Sequence, residues 1–182
     1  MISKGFRAIR YGIETILAKI LWRNSLVVEG LFRKEADTQI DISRGGKLNI
    51  KRHVSFQRNV SFVIRENAIL SIGKNVWFNH NCTLACRKKI TIEDDVKFGP
   101  GVTIYDHDHI FSYEGVLPGY KLGEVIIGKG SWVAANVTIL RNTHIGEGCV
   151  IGAGAVVQGN IPPHSLVTGS RELNIVPIEN RE

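Results

Sequence analysis

Ile127-Gly128-Lys129-Gly130-Ser131-Trp132-Val133-Ala134-Ala135-Asn136-Val137-Thr138-Ile139 is the stretch that decides the fold. Its branched residues Ile127, Val133 and Ile139 fall six apart, and the beat runs on through Ile145, Ile151 and Val157. Gly128, Gly146 and Gly152 follow three of them directly. Four positions after each comes a small or modest side chain: Ser131, Val137, Thr143, Cys149, Ala155, Ile161. Six residues turn an α-helix through about 600°, a net rotation of about 240°, so a helix cannot hold this series on one face. A long strand alternates at period two and has no glycine beat. A period of six reads as the hexapeptide repeat of a β-solenoid.

Working outward, the same beat recurs upstream. Ile50, Phe56 and Phe62 carry Val54 and Val60 at the i+4 sites. Ile72, Phe78 and Leu84 carry Val76 and Cys82, and Ile92, Phe98 and Ile104 carry Val96 and Val102. Residues 48–169 therefore form the repeat domain, with register breaks near 63–71, 85–91 and 105–126. Three hexads make one rung of a triangular prism, with the first and fifth residue of each hexad turned inward. Gly73, Asn75, Asn79, Asn81, Gly99, Gly101, Gly130 and Asn136 suit its corners, where positive φ is often needed. Stacked rungs cover one another's backbone, so no single rung is stable alone.

Residues 1–47 break this pattern. Ile2, Phe6, Ile9, Ile13, Ile16, Leu17 and Ile20 step by three and four, the spacing of an amphipathic helix. Lys4, Arg7, Arg10, Lys19 and Arg23 stand against Glu14, so this segment holds +4 of the net charge of +6. A body of only +2 argues against a nucleic-acid surface. The apolar run is too interrupted to span a membrane and has no leader-cleavage pattern. Packing on the solenoid or a neighbouring subunit is one reading of this helix. Lying on an anionic inner membrane, with Trp22 near the interface, is the other. Residues 24–47 read as a connector and cap holding a first irregular coil, and 170–182 as a tail. Cys82 and Cys149 occupy inward sites and read as core thiols of a reducing compartment, without a disulfide framework.

Between Ile104 and Ile127 the register fails over 23 residues, about five more than an 18-residue rung. The loop at 105–124 contains Tyr105-Asp106-His107-Asp108-His109, an imidazole source beside carboxylates. A neutral imidazole accepts a proton near pH 7 and a neighbouring carboxylate can orient it. A solvated turn without a role is the alternative on this motif alone. Its place on a rigid scaffold favours function.

Several segments carry a resemblance: Asn79-His80-Asn81-Cys82, then Phe98-Gly99-Pro100-Gly101-Val102-Thr103-Ile104-Tyr105, then His109. Ile127-Gly128 with Trp132-Val133-Ala134-Ala135, Ile145-Gly146, Val150 to Val157, and Ile161-Pro162-Pro163 complete it. The chain resembles the hexapeptide-repeat acyltransferases, in the branch of maltose, galactoside and surface-polysaccharide sugar O-acetyltransferases. The resemblance implies an all-β, left-handed parallel β-helix assembled as a homotrimer, with active sites between prisms and acetyl-CoA as co-substrate. It implies transfer of the acetyl group to a hydroxyl of a small-molecule sugar in the cytoplasm, and the basic amphipathic segment 1–23 suits a lipid-linked acceptor and a place peripheral to the inner membrane face. It makes His109 the general base, with His107 the adjacent alternative, and gives the oxyanion to the backbone N–H of Ala135. Asn79 takes the acceptor side, joined by Asn81, Tyr105, His107 and Asp108. Trp132, Ala134, Ala135, Gly152, Ala153, Gln158 and Arg171 take the cofactor. No metal ligand is implied. The family's usual C-terminal Gly-x-Pro-Ala-Lys/Arg is replaced by Gly169-Ser170-Arg171-Glu172-Leu173. A nucleotide-sugar amine N-acetyltransferase is the nearest rival. A γ-carbonic-anhydrase-like zinc hydratase using His80, His107 and His109, or a non-catalytic solenoid, are readings of other classes.

Overall fold

A computed structural model describes residues 16, 25–30, 33–35 and 37–169. Apart from residue 16, the expected amphipathic helix of residues 1–23, Trp22 included, lies outside the described residues, as do Arg171 and the tail. The described chain is a left-handed, all-β parallel solenoid.

Three faces form the prism. The first stacks Leu26–Val28, Lys47–Ile50, Ile69–Ile72, Lys89–Ile92 and Glu124–Ile127 in parallel register, followed by the second half of Thr138–Ile145. The second stacks two-residue strands from Arg33–Lys34 to Leu166–Val167. The third stacks Gln39–Ile42, Ser61–Ile64, Thr83–Cys86, Thr103–Tyr105 and the first half of Thr138–Ile145. The pairing thus begins at Leu26, inside the stretch read as connector and first coil.

Every first-position residue from Ile50 to Val157 is at most 3% exposed. The i+4 residues Val54, Val60, Val76, Cys82, Val96, Val102, Val137, Cys149 and Ala155 are buried beside them, while Ile161, in the last coil, is only partly covered. The core is aromatic at the N-terminal rungs, where Phe78 and Phe98 stack at 4.6 Å and Phe56 meets Phe62 edge-on at 4.9 Å. Burial of each such ring stabilises by about 1.5–3 kcal/mol. Ser131 and Thr143 also turn inward, and both are satisfied. Ser131 Oγ donates to the Gly146 carbonyl at 3.0 Å and accepts the Cys149 N–H at 3.1 Å. Thr143 Oγ1 donates to the Leu140 carbonyl at 2.6 Å.

The corners separate two demands that the sequence reading merged. Asn75, Asn81 and Asn136 are left-handed, with φ of 56°, 61° and 55°, and so are Gly101 and Gly130. Gly73, Asn79 and Gly99 are not, which corrects the expectation for those three. Gly73 and Gly99 are required instead by contact with the next rung. A Cβ on Gly73 would lie 2.5 Å from the Glu93 backbone carbon, and one on Gly99 would lie 2.7 Å from that of Ala134.

The interruption is larger than the sequence count implied. Ile92 pairs with Ile127, 35 positions on, whereas Ile127 and its own partner Ile145 are 18 apart. The excursion therefore adds 17 residues, not five, because only one hexad separates Ile104 from its successor face. It folds as an antiparallel hairpin of His107–Ser112 and Gly115–Leu122 at the corner between the third and first faces.

Candidate active site

The hairpin is fixed at its root by two carboxylates pointing opposite ways. Asp106 follows Ile104 by two, so strand alternation turns it inward, and it is 0% exposed. Its carboxylate accepts the N–H of Arg87 at 2.8 Å, of Lys88 at 2.7 Å and of Lys89 at 2.8 Å. The Cys86 thiol donates to it at 3.3 Å. Burial, and then this negative neighbour, push the Cys86 thiol well above the ordinary thiol range. Three main-chain donors supply the partners a buried carboxylate requires. Two residues on, Asp108 is ion-paired by the Arg141 Nε, on the following rung.

His107 and His109 alternate with these carboxylates. The His107 Nδ1 lies 3.0 Å from Asp106 Oδ1, and since a carboxylate only accepts, this nitrogen carries the proton. Its other nitrogen is left for the site. His107 meets Tyr105 edge-on at 6.1 Å and Tyr120 at 5.3 Å. His109 is exposed, pairs across the hairpin with Tyr120, and has its ring 4.8 Å from that tyrosine's. The ladder shifts register immediately after His109, between His109 and Ile110. The regular ladder thus breaks directly beside the imidazole, the place where a bulge can re-aim a side chain. The sequence reading offered Asp106 only as one of the carboxylates beside the histidines; it missed that Asp106 points inward, the signal for which was its place two residues after the inward Ile104.

The other expected residues collect at a different corner, between the second and third faces. Asn79 stands there with its Oδ1 accepting the His80 N–H at 2.8 Å. Asn81 forms a corner ladder, its Oδ1 accepting from Asn59 Nδ2 at 2.9 Å. Ala134 and Ala135 occupy the same corner two rungs on, and Gly152 and Ala153 the rung after that. The Ala134 N–H donates to Ile151 and the Asn136 N–H to Pro100, each within 2.9 Å, but the Ala135 N–H has no partner among the described residues. Trp132 lies beside them on the second face, 52% exposed, in register between Lys97 and Val150. Gln158 falls with the hairpin instead, its Nε2 donating to the Arg141 carbonyl at 3.3 Å.

One chain therefore carries Tyr105, His107, Asp108, His109 and Gln158 at one corner. Asn79, Asn81, Ala134, Ala135, Gly152 and Ala153 stand at another. His80 is at that second corner, where its Nδ1 accepts the Arg58 N–H at 3.2 Å, away from the hairpin histidines. Among the described residues no three His, Cys, Asp or Glu side chains cluster as a metal site.

A three-faced coil with one histidine-bearing hairpin defines a β-helix of the transferase type, and comparison with known proteins agrees. Residues 124–159 match the bacterial transferase hexapeptide (six repeats) family. "Putative acetyltransferase C18B11.09c" of Schizosaccharomyces pombe is 34% identical over 166 residues, 82% of this chain and 80% of that protein. "Putative lipopolysaccharide biosynthesis O-acetyl transferase WbbJ" of Escherichia coli K12 is 26% identical, over 88% of this chain and 87% of its own. Staphylococcus aureus relatives named as acetyltransferases are 42% identical, but the match spans only 51% of their length and 56% of this chain. Among solved structures, the Bacillus cereus N-acyltransferase AntD, in complex with dTDP and coenzyme A, superposes with a TM-score of 0.68 at 19% identity. That match covers 81% of this chain and 82% of AntD, and shows the shared fold. The chain belongs to the hexapeptide-repeat acyltransferase family.

Proposed function

We propose that this chain transfers the acetyl group of acetyl-CoA to a hydroxyl of a sugar, in a precursor of a surface polysaccharide. The observation that carries the reading is the hairpin: an exposed imidazole, His109, beside a break in the ladder, on a root clamped at Asp106 and Asp108. In this reading His109 removes the hydroxyl proton as the sugar oxygen attacks the thioester carbonyl. The resulting oxyanion is received by the unpaired N–H of Ala135, a main-chain donor that makes no demand on the side chain. The carbon–sulfur bond then breaks, and the departing thiolate takes the proton from His109, which restores the base and releases CoA as the thiol. Trp132, Ala134, Gly152 and Ala153 flank the thioester arm, with Gln158 and Arg171 further along the cofactor. Asn79, Asn81, Tyr105, His107 and Asp108 hold the acceptor.

Base and oxyanion donor stand at different corners of one prism, so the site closes only where the hairpin of one copy meets the second corner of another. This favours a homotrimer with shared sites. The relationship to WbbJ and the basic segment 1–23 support an acceptor made at the inner membrane face. The rest of the chemistry, with no metal step, uses side chains and main chain alone.

Isothermal titration of acetyl-CoA into wild type and His109→Ala, followed by thiol release with sugar and amino-sugar acceptors, tests the reading. Binding by both proteins, with release by wild type alone and on hydroxyl acceptors, is expected. A well-folded trimer that does not bind acetyl-CoA would overturn it.

A further inference from the structure

The hairpin face that carries the histidines also borders a pocket lined by Arg65, Glu66, Arg87, Tyr120 and Leu122. Its wall is the Tyr120 ring, which is shared. His109 and His107 approach it at 4.8 and 5.3 Å, and the Arg87 guanidinium carbon lies over it, 3.5 Å from the centroid. A stacked guanidinium is held planar with its N–H edges outward, the geometry that grips a phosphate or carboxylate by two parallel hydrogen bonds.

The charges around Arg87 are otherwise accounted for. Arg65 gives its Nη1 to Asp41 at 2.9 Å and to Ser43 at 3.5 Å. Lys88 and Lys89 both pair with Glu124 at 3.4 Å. Asp106 is filled by main-chain N–H groups and His107. Glu66 is exposed at the rim. Among the described residues Arg87 alone of these cations makes no ion pair, and the Tyr120 hydroxyl has no hydrogen-bond partner either. The guanidinium of Arg87 and the imidazole of the proposed base, His109, thus both contact the ring of Tyr120, whose hydroxyl has no hydrogen-bond partner among the described residues.

We infer that Arg87, backed by Tyr120, binds an oxyanion on the acceptor, so the acceptor is an acidic or phosphorylated sugar rather than a neutral one. This deepens the acetyltransferase reading and rests on it for the word acceptor. Because cation and imidazole flank the same ring, the anion belongs to the sugar that is modified or to the linkage next to it. A sugar phosphate and a uronate share this chemistry.

The test is titration of the full chain with glucose 1-phosphate, glucuronate and methyl glucoside, following the ring C2–H resonances of His107 and His109. Wild type is expected to respond to a charged sugar at concentrations about 10–100-fold below methyl glucoside, the range of a hydrogen bond to a charged group. Arg87→Gln should abolish that preference, bringing the charged sugars to the level of methyl glucoside, and Arg87→Lys should restore part of it. The tighter of the two charged sugars identifies phosphate or carboxylate. Equal midpoints for charged and neutral sugars, or a preference that survives Arg87→Gln, would overturn the inference. Thiol release from acetyl-CoA on the same samples reports the acetyltransferase reading separately. An Arg87-dependent preference without thiol release would sink that reading and leave the oxyanion site standing.

Discussion

Asp106 Oδ1 and His107 Nδ1 stand 3.0 Å apart, with the carboxylate wholly buried and the imidazole facing the site. The bend at Asp106, between Thr103–Tyr105 and His107–Ser112, thus joins the prism interior to the hairpin. An amide at 106 would present an NH₂ group where three main-chain N–H groups and a thiol now donate. Asp106→Asn should lower unfolding stability by about 2–3 kcal/mol, as a charged acceptor is lost and donors go unsatisfied. Urea denaturation would measure this. If the carboxylate also sets the imidazole, the pH–rate profile of the surviving folded enzyme should move, which a purely structural role would not produce.

Ala135→Pro isolates the proposed oxyanion donor. The neighbouring rung already has proline at the equivalent corner position, since Gly99 packs under Ala134 and Pro100 follows it. The substitution removes an N–H that bonds nothing among the described residues. Stability should change by well under the cost of a lost ladder bond, while kcat falls about 10²–10³-fold. Thermal unfolding beside steady-state thiol release checks both. An unchanged kcat would remove Ala135 from the mechanism.

Gly99→Ala and Gly73→Ala make a matched pair. Each new Cβ would press on the backbone of the next rung, at 2.7 and 2.5 Å. Both should destabilise by about 1–3 kcal/mol, the usual range for overpacking. Gly99→Ala pushes on the Ala134–Ala135 peptide itself, whereas Gly73→Ala pushes on Glu93–Asp94 at a remote corner. Only Gly99→Ala should lower kcat when both are assayed well below their unfolding temperatures.

The thiols give an alkaline signature. Burial pushes the Cys82 thiol from 9.0 up to about 11, against weaker opposing main-chain hydrogen bonds. A raised folded-state value means its stabilising contribution is full below about pH 9 and is lost as pH rises through about 11. The urea midpoint should therefore drop between pH 8.5 and pH 11, and Cys82→Ala should reduce that drop, leaving the part due to the raised Cys86 thiol. Iodoacetamide at pH 8 should label the three buried cysteines only as fast as the protein unfolds.

The core was legible because a hexad is a local signal. Ile127, Val133 and Ile139 announce their inward direction by spacing alone, and even the polar Ser131 and Thr143 followed it inside. The left-handed corners at Asn75, Asn81 and Asn136 were legible from side-chain type. Gly73 and Gly99 were placed at corners correctly but for another reason, since contact with the next rung has no signature in the residue itself. The hairpin was legible as a break in register. Its two anchors were not, because the partners of Asp106 are main-chain groups 17–19 positions earlier and Arg141 lies 33 positions after Asp108. The division of the candidate residues between two corners required the winding of the coil, which assigns residues to corners only after the 17-residue excursion is counted correctly.

Both anchors of the hairpin lie at its base, while its outer half carries Phe111, Tyr113 and Val116 with 59–71% of each side chain in solvent. Inheritance and engineering can treat these two parts as separate modules. Residues 110–119 can be exchanged for another sequence while the root held at Asp106 and Asp108 stays on an unaltered scaffold, so under the proposed function acceptor choice can be redirected there. New specificities in such a coil need not be bought with loss of the framework.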